Sequence, residues 1–75
     1  MIEEKVMDII SEQFGIDRSA LTLETDLVKD LHADSLDVVE LIMAFEDTFS
    51  LSIPDEVALA VRTIGDAVNY IASAV

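Results

Sequence analysis

Ser35-Leu36-Asp37-Val38-Val39-Glu40-Leu41-Ile42-Met43-Ala44-Phe45-Glu46-Asp47-Thr48-Phe49-Ser50 is the stretch whose reading decides the fold. At about 100° per residue, Val38, Leu41, Ile42, Phe45 and Phe49 fall on one side of a helical wheel. That spacing predicts a helix over residues 35–50 with a buried stripe. The opposite side collects Leu36, Glu40, Met43 and Asp47, with Val39 and Glu46 on a flank. Isolated exposed apolar residues are ordinary on protein surfaces. An apolar strip edged by carboxylates also suits docking, because charge guides a partner in and a flexible methionine adapts to its pocket.

The neighbouring segments supply what this helix packs against. Ile2, Val6, Ile9, Ile10 and Phe14 recur at helical spacing and predict a helix over residues 2–14, ended by Gly15. Residues 16–34 have no long period, and Leu21, Leu23, Leu27, Val28 and Leu31 are scattered among polar residues. This reads as a long structured loop that tucks apolar side chains into the core, a length that is often functional. Pro54-Asp55-Glu56 places proline and acids where a helix N-terminus favours both, opening a short helix to Val61. Thr63-Ile64-Gly65-Asp66 resembles a capping box for a last helix with Ile64, Val68, Ile71 and Val75 as its stripe. No segment alternates with period two. The expected fold is therefore all-α, a bundle of three longer helices and a short third one, built by residues 1–75 as a single domain.

Composition narrows the function. The chain carries 16 acids against 4 bases, a net charge of −12. Nucleic acid and anionic membranes would be repelled, whereas basic protein surfaces would be attracted. The same charge strains the folded state, so salt or Mg²⁺ should stabilise it. Between Asp30 and Val61 there is no Lys or Arg but eight acids: Asp30, Asp34, Asp37, Glu40, Glu46, Asp47, Asp55 and Glu56. A solvated helix usually mixes signs to gain i,i+4 pairs, and forgoing them suggests that the field itself is useful. Cysteine is absent, which rules out disulfides and thiolate metal sites. The acidic start Met1-Ile2-Glu3-Glu4-Lys5 does not resemble a secretory signal, and no apolar run nears the ~18 residues of a membrane span. A cytoplasmic monomer is expected.

Ser35 admits three roles. Either Asp34 or Ser35 can cap the helix start. As a nucleophile, Ser35 would need a base and an oxyanion site. His32 and Asp34 are close only in sequence, a Gly-x-Ser-x-Gly elbow is lacking, and the chain is too small for a deep pocket. As an anchor, Ser35 would hold a phosphodiester beside the unpaired N–H groups and positive end of the helix. Asp34 and Asp37 oppose such a phosphate, so they need another reason to be there, and recognition by a basic modifying enzyme is one.

Asp30-Leu31-His32-Ala33-Asp34-Ser35-Leu36-Asp37, continuing through Val38-Val39-Glu40-Leu41-Ile42-Met43, resembles the acyl carrier proteins. The resemblance extends along nearly the whole chain, through Glu3-Glu4-Lys5-Val6, Glu12-Gln13-Phe14-Gly15, Ile53-Pro54-Asp55-Glu56, Thr63-Ile64 and Tyr70-Ile71. It implies a four-helix bundle with a covalent 4′-phosphopantetheine arm on Ser35, taken from coenzyme A by a phosphopantetheinyl transferase. Acyl groups would ride on the arm's thiol, which explains a carrier without cysteine. The resemblance further implies docking on basic surfaces of fatty acid synthesis enzymes through Asp34, Leu36, Asp37, Val39, Glu40, Met43 and Asp47. Val28, Phe45, Ala58 and Val61 would line a shelter for the acyl chain.

Carriers of polyketide or other specialised acyl groups would share all these features, and an aminoacyl carrier would share the serine and the bundle. A small acidic adaptor without an arm would need Ser35 only as a cap. Two departures from the family pattern stand out. His32 replaces the usual glycine, either as a tolerated loop residue or as a contact to the phosphate. Val57-Ala58-Leu59-Ala60-Val61 is apolar where relatives tend to place charges, and a helix so short cannot bury every face.

Overall fold

The computed structural model describes residues 2–75, and those residues form four α-helices. These are α1 (Ile2–Phe14), α2 (Ser35–Phe49), α3 (Asp55–Ala60) and α4 (Ile64–Ala74). The all-α expectation, with a short third helix, holds. α1 packs against α2 and α4, and α3 packs on α2. Between them lies a core of Val6, Met7, Ile10, Leu41, Ile42, Phe45, Ile53, Ile64, Ala67 and Ile71, closed by Leu21, Leu27 and Ala33 from the long loop.

Each helix end has a physical cause. Gly15 takes φ +64 and stops α1, since a residue without Cβ enters the left-handed region without penalty. Ser50 ends α2 in the same conformation, with φ 54, while its N–H bonds back to the Glu46 carbonyl. Pro54 precedes α3, so the missing proline N–H costs that helix nothing. Thr63 and Asp66 form the expected box at α4: the Thr63 side chain accepts from the Asp66 N–H at 3.1 Å, and Asp66 accepts from the Thr63 N–H at 3.2 Å.

The long loop is structured, as expected. A 3-10 turn spans Arg18–Ala20, capped by Asp17, whose carboxylate accepts from the Ser19 N–H at 3.1 Å. Asp26 then organises the descent toward α2. Its Oδ1 accepts from the N–H groups of Val28 and Lys29 at 2.9 and 2.8 Å, and its own N–H donates to Asp30 at 2.7 Å. Leu27 N–H reaches the Arg62 carbonyl at 2.8 Å, and Asp26 makes an isolated bridge with Thr63. That bridge is the only extended pairing among the described residues, so no sheet forms. Gly65 N–H donates to the Leu23 carbonyl at 2.8 Å, and a Cβ on Gly65 would meet that oxygen at 3.0 Å. The loop and the start of α4 are thus clamped together through a position that only glycine fills without strain.

Three burial expectations are corrected. Leu23 and Val28 are exposed, because the turns that satisfy the loop's backbone aim them outward. Val75 follows the last turn of α4 and is exposed, and Ala67 takes its share of the buried stripe. Met7, which was outside the expected stripe of α1, is buried.

Backbone N–H groups hold three carboxyls below the usual carboxylate value of 3.8. They are those of Ser19 at Asp17, of Lys29 and then Val28 at Asp26, and of Arg62 and Thr63 at Asp66. A lowered folded pKa stabilises the fold above the unfolded value and ceases to do so as pH falls through the folded value. Acidification from neutrality also relieves repulsion within a chain of net charge −12. The melting temperature should therefore rise from pH 7 toward about pH 5, then fall below about pH 4 as these three carboxyls protonate. Calorimetry across that range checks this, and a melting temperature still climbing at pH 3 would contradict it.

Candidate functional site

The start of α2 is built so that Ser35 is left free. Asp34, in extended conformation, is the N-cap: its Oδ1 accepts from the Asp37 N–H at 2.8 Å. Asp37 reciprocates through Oδ2, accepting from the Asp34 N–H at 3.2 Å. This is the same reciprocal box that Thr63 and Asp66 make at α4. Of the two cap candidates, Asp34 and Ser35, Asp34 takes the role. Ser35 is the first helical residue, it is exposed, and its hydroxyl has no hydrogen-bond partner among the described residues. The box also gives the two acids beside Ser35 a structural reason to be there. Both carboxylates neutralise helix-end N–H groups, and their charge is favoured at that end of the helix.

Behind Ser35 lies an open groove of about 280 Å³ between α2 and α3, lined by Ser35, Val38, Val39, Asp55, Ala58 and Leu59. Most of these side chains are apolar. Leu59 is 83% exposed at its rim. The apolar character of the third helix therefore appears as surface. Val57, Ala58 and Val61 are half-buried against the core, and Leu59 and Ala60 face solvent.

On the outer face of α2, Leu36, Val39 and Met43 are 63%, 52% and 61% exposed. Glu40 and Asp47 lie on the same face and are also exposed. Glu40 accepts a hydrogen bond of 3.3 Å from the Gln13 side chain of α1. Asp47 has no hydrogen-bond partner among the described residues. Glu46, on the flank, has a structural duty: it accepts from the Ile53 N–H at 2.7 Å and ties the end of α2 to the chain entering α3.

The four residues considered for an acyl shelter do not share one surface. Phe45 and Val61 meet in an apolar seam with Ile42, Ile53, Val57, Ala67, Tyr70 and Ile71, and the seam holds only about 10 Å³ of space. Ala58 belongs to the groove behind Ser35. Val28 is on a separate depression with Asp26, Lys29 and Arg62. His32 adopts φ 56, the left-handed conformation in which the family pattern would have glycine, and its N–H bonds to the Val28 carbonyl at 3.1 Å. Its imidazole is exposed and has no hydrogen-bond partner among the described residues.

Sequence reasoning missed two supports of this site. Asp26 was not singled out, although an Asp followed by free amides two and three residues on is a recognised turn signal. Asp34 was a cap candidate, but the return bond from Asp37 was missed, although the spacing repeats that of Thr63 and Asp66.

A free serine hydroxyl thus stands at the head of an acidic helix with an apolar groove beside it. The chain matches the family model for a phosphopantetheine attachment site over residues 4–71. It is 54% identical over 71 residues to an acyl carrier protein of Clostridium acetobutylicum, a match covering 95% of this chain and 92% of that relative. The chain therefore belongs to the acyl carrier proteins, which are carriers and not enzymes and bear a covalent 4′-phosphopantetheine. Ser35 fits that group: its oxygen is exposed, unpaired, and placed beside the N–H groups of the first turn of α2.

Among the described residues no helix is long and apolar enough to cross a membrane. No group of three or more His, Asp or Glu among them is placed to hold a metal ion.

Proposed function

We propose that this protein carries acyl intermediates of fatty acid synthesis, as thioesters on a 4′-phosphopantetheine arm joined to Ser35, working in the cytoplasm as a monomer with residues 1–75 as one carrier domain. The observation that carries this reading is the release of the Ser35 hydroxyl from capping by the Asp34–Asp37 box. The Ser35 hydroxyl donates to no base among the described residues, so on this reading the transferase supplies the base and acts with coenzyme A as its donor. When bound, the arm supplies the thiol that this chain lacks. α2 holds the attachment oxygen at its N-terminus, and its N–H groups and dipole favour the phosphate.

The division of labour among the acids supports docking through the outer face of α2. Asp34 and Asp37 are occupied at the helix start, which leaves Glu40 and Asp47 as the charges most available to a basic partner. Leu36, Val39 and Met43 provide the apolar strip between them. Docking and attachment thus use adjacent parts of one helix, so a partner that binds the face is brought beside the arm. Phe45 and Val61 in the closed seam, and Ala58 in the open groove, offer two routes for shelter of an acyl chain. The groove needs no rearrangement, whereas the seam would have to widen.

Incubating the purified chain with coenzyme A and a phosphopantetheinyl transferase tests the carrier reading. One phosphopantetheine per chain is expected by intact mass, and an unchanged mass would refute it. The docking face is tested by Glu40→Lys with Asp47→Lys. Affinity for the transferase should fall on the order of tenfold at low salt, less at high salt, with helicity unchanged. Equal affinity of the two forms in surface plasmon resonance would refute docking by this face.

A further inference from the structure

We propose that Met43 is an oxidation-sensitive docking residue, through which a hydroperoxide weakens the binding of partner enzymes reversibly. The proposal rests on the docking face described above and adds a modification site to it.

Met43 lies in the middle of the exposed strip of α2 and is 61% exposed, whereas Met7 is 9% exposed in the core. It also forms the rim of an open depression of about 600 Å³ with Ala44, Glu46, Asp47, Leu51 and Ser52. A small oxidant therefore reaches the Met43 thioether from solvent far more readily than that of Met7. Oxidation of methionine follows such access.

The step balances without any further reagent. The thioether sulfur takes one oxygen from the peroxide and loses two electrons. An S–O bond forms, the O–O bond breaks, and water or an alcohol leaves. A thiol-dependent methionine sulfoxide reductase reverses it.

The consequence follows from position. As a thioether, Met43 is the adaptable apolar element between Val39 and Asp47. As a sulfoxide it carries a strong dipole with a partly negative oxygen, set beside Asp47 and Glu46. Burying it against a partner then requires desolvating a polar group, so the apolar part of the contact is lost. The helix itself should persist, because the side chain of Met43 is not part of the core.

The test treats the folded protein with hydrogen peroxide and maps oxidation by peptide mass. Met43 should oxidise on the order of tenfold faster than Met7. Affinity of the oxidised apo form for the phosphopantetheinyl transferase should fall on the order of tenfold, and the reductase should restore it. The Met43→Leu protein, whatever its starting affinity, should not respond to peroxide, while Met7→Leu should respond like the wild type. Equal oxidation of Met7 and Met43 in the folded state would overturn the proposal. So would full conversion of Met43 with unchanged affinity. If affinity then still falls in the Glu40→Lys, Asp47→Lys protein, the docking face stands and only the oxidation proposal is lost; if it does not, both are lost.

Discussion

Ser35→Ala is expected to abolish loading with phosphopantetheine while leaving the fold intact. The two halves of this prediction come from the same hydrogen bonds. The Ser35 hydroxyl donates and accepts nothing among the described residues, so removing its oxygen breaks no hydrogen bond. The cap is made by Asp34, and the Asp34–Asp37 box remains when alanine, a good helix former, takes the first helical position. Stability should change by less than about 0.5 kcal/mol, as for surface substitutions away from special features. Loading should vanish outright, because no other exposed hydroxyl stands at the head of the acidic helix. Intact mass after incubation with coenzyme A and a transferase reads the loss, and chemical denaturation reads the unchanged stability. Retention of the full mass gain would sink the assignment of Ser35. A large loss of stability would show that the hydroxyl has a structural duty after all.

Phe45→Ala should have the opposite profile. Phe45 heads the fully buried side chains and is 1% exposed. It forms the wall of a seam holding only about 10 Å³ of space, so the surrounding side chains are already in contact around it. Truncating a buried phenylalanine typically costs about 3–5 kcal/mol, as lost transfer energy plus an unfilled cavity. A chain of this length has a total stability of about 4–11 kcal/mol. The substitution should thus remove roughly a quarter or more of the stability, shifting the urea midpoint downward with little change in slope. Its folded fraction should still load at Ser35, since the helix start is unchanged. A loss below about 1 kcal/mol would mean that the seam relaxes around the truncation, and the core around α2 would be looser than described.

These two residues also show how far the sequence could be read. Phe45 was legible because helical period and hydrophobicity agree there, and the structure buries it with Leu41 and Ile42. The boundaries of α1 and α4 were legible for a similar reason: Gly15 and the Thr63–Asp66 pair are punctuation with a mechanism. The long loop was not. Leu27 is buried and Val28 is exposed although the two are adjacent and similar, because the Asp26 turn decides which side chain faces inward. No periodicity encodes that choice.

At the site, the position of Ser35 was legible but its release from capping was not. Whether Asp34 or Ser35 caps α2 depends on backbone geometry at a single residue, and only the extended conformation of Asp34 decides it. His32 is intermediate. Its left-handed conformation, φ 56, is what a position with glycine in the family pattern would suggest, while its exposed imidazole leaves the side chain without a structural task.

The most direct test of the central claim is tandem mass spectrometry of the protein isolated from its own host. A phosphopantetheine on the peptide that contains Ser35, with an acyl thioester at its end in part of the population, is the predicted result. A Ser35 peptide found wholly unmodified, or a phosphopantetheine carried on any other residue, would contradict it.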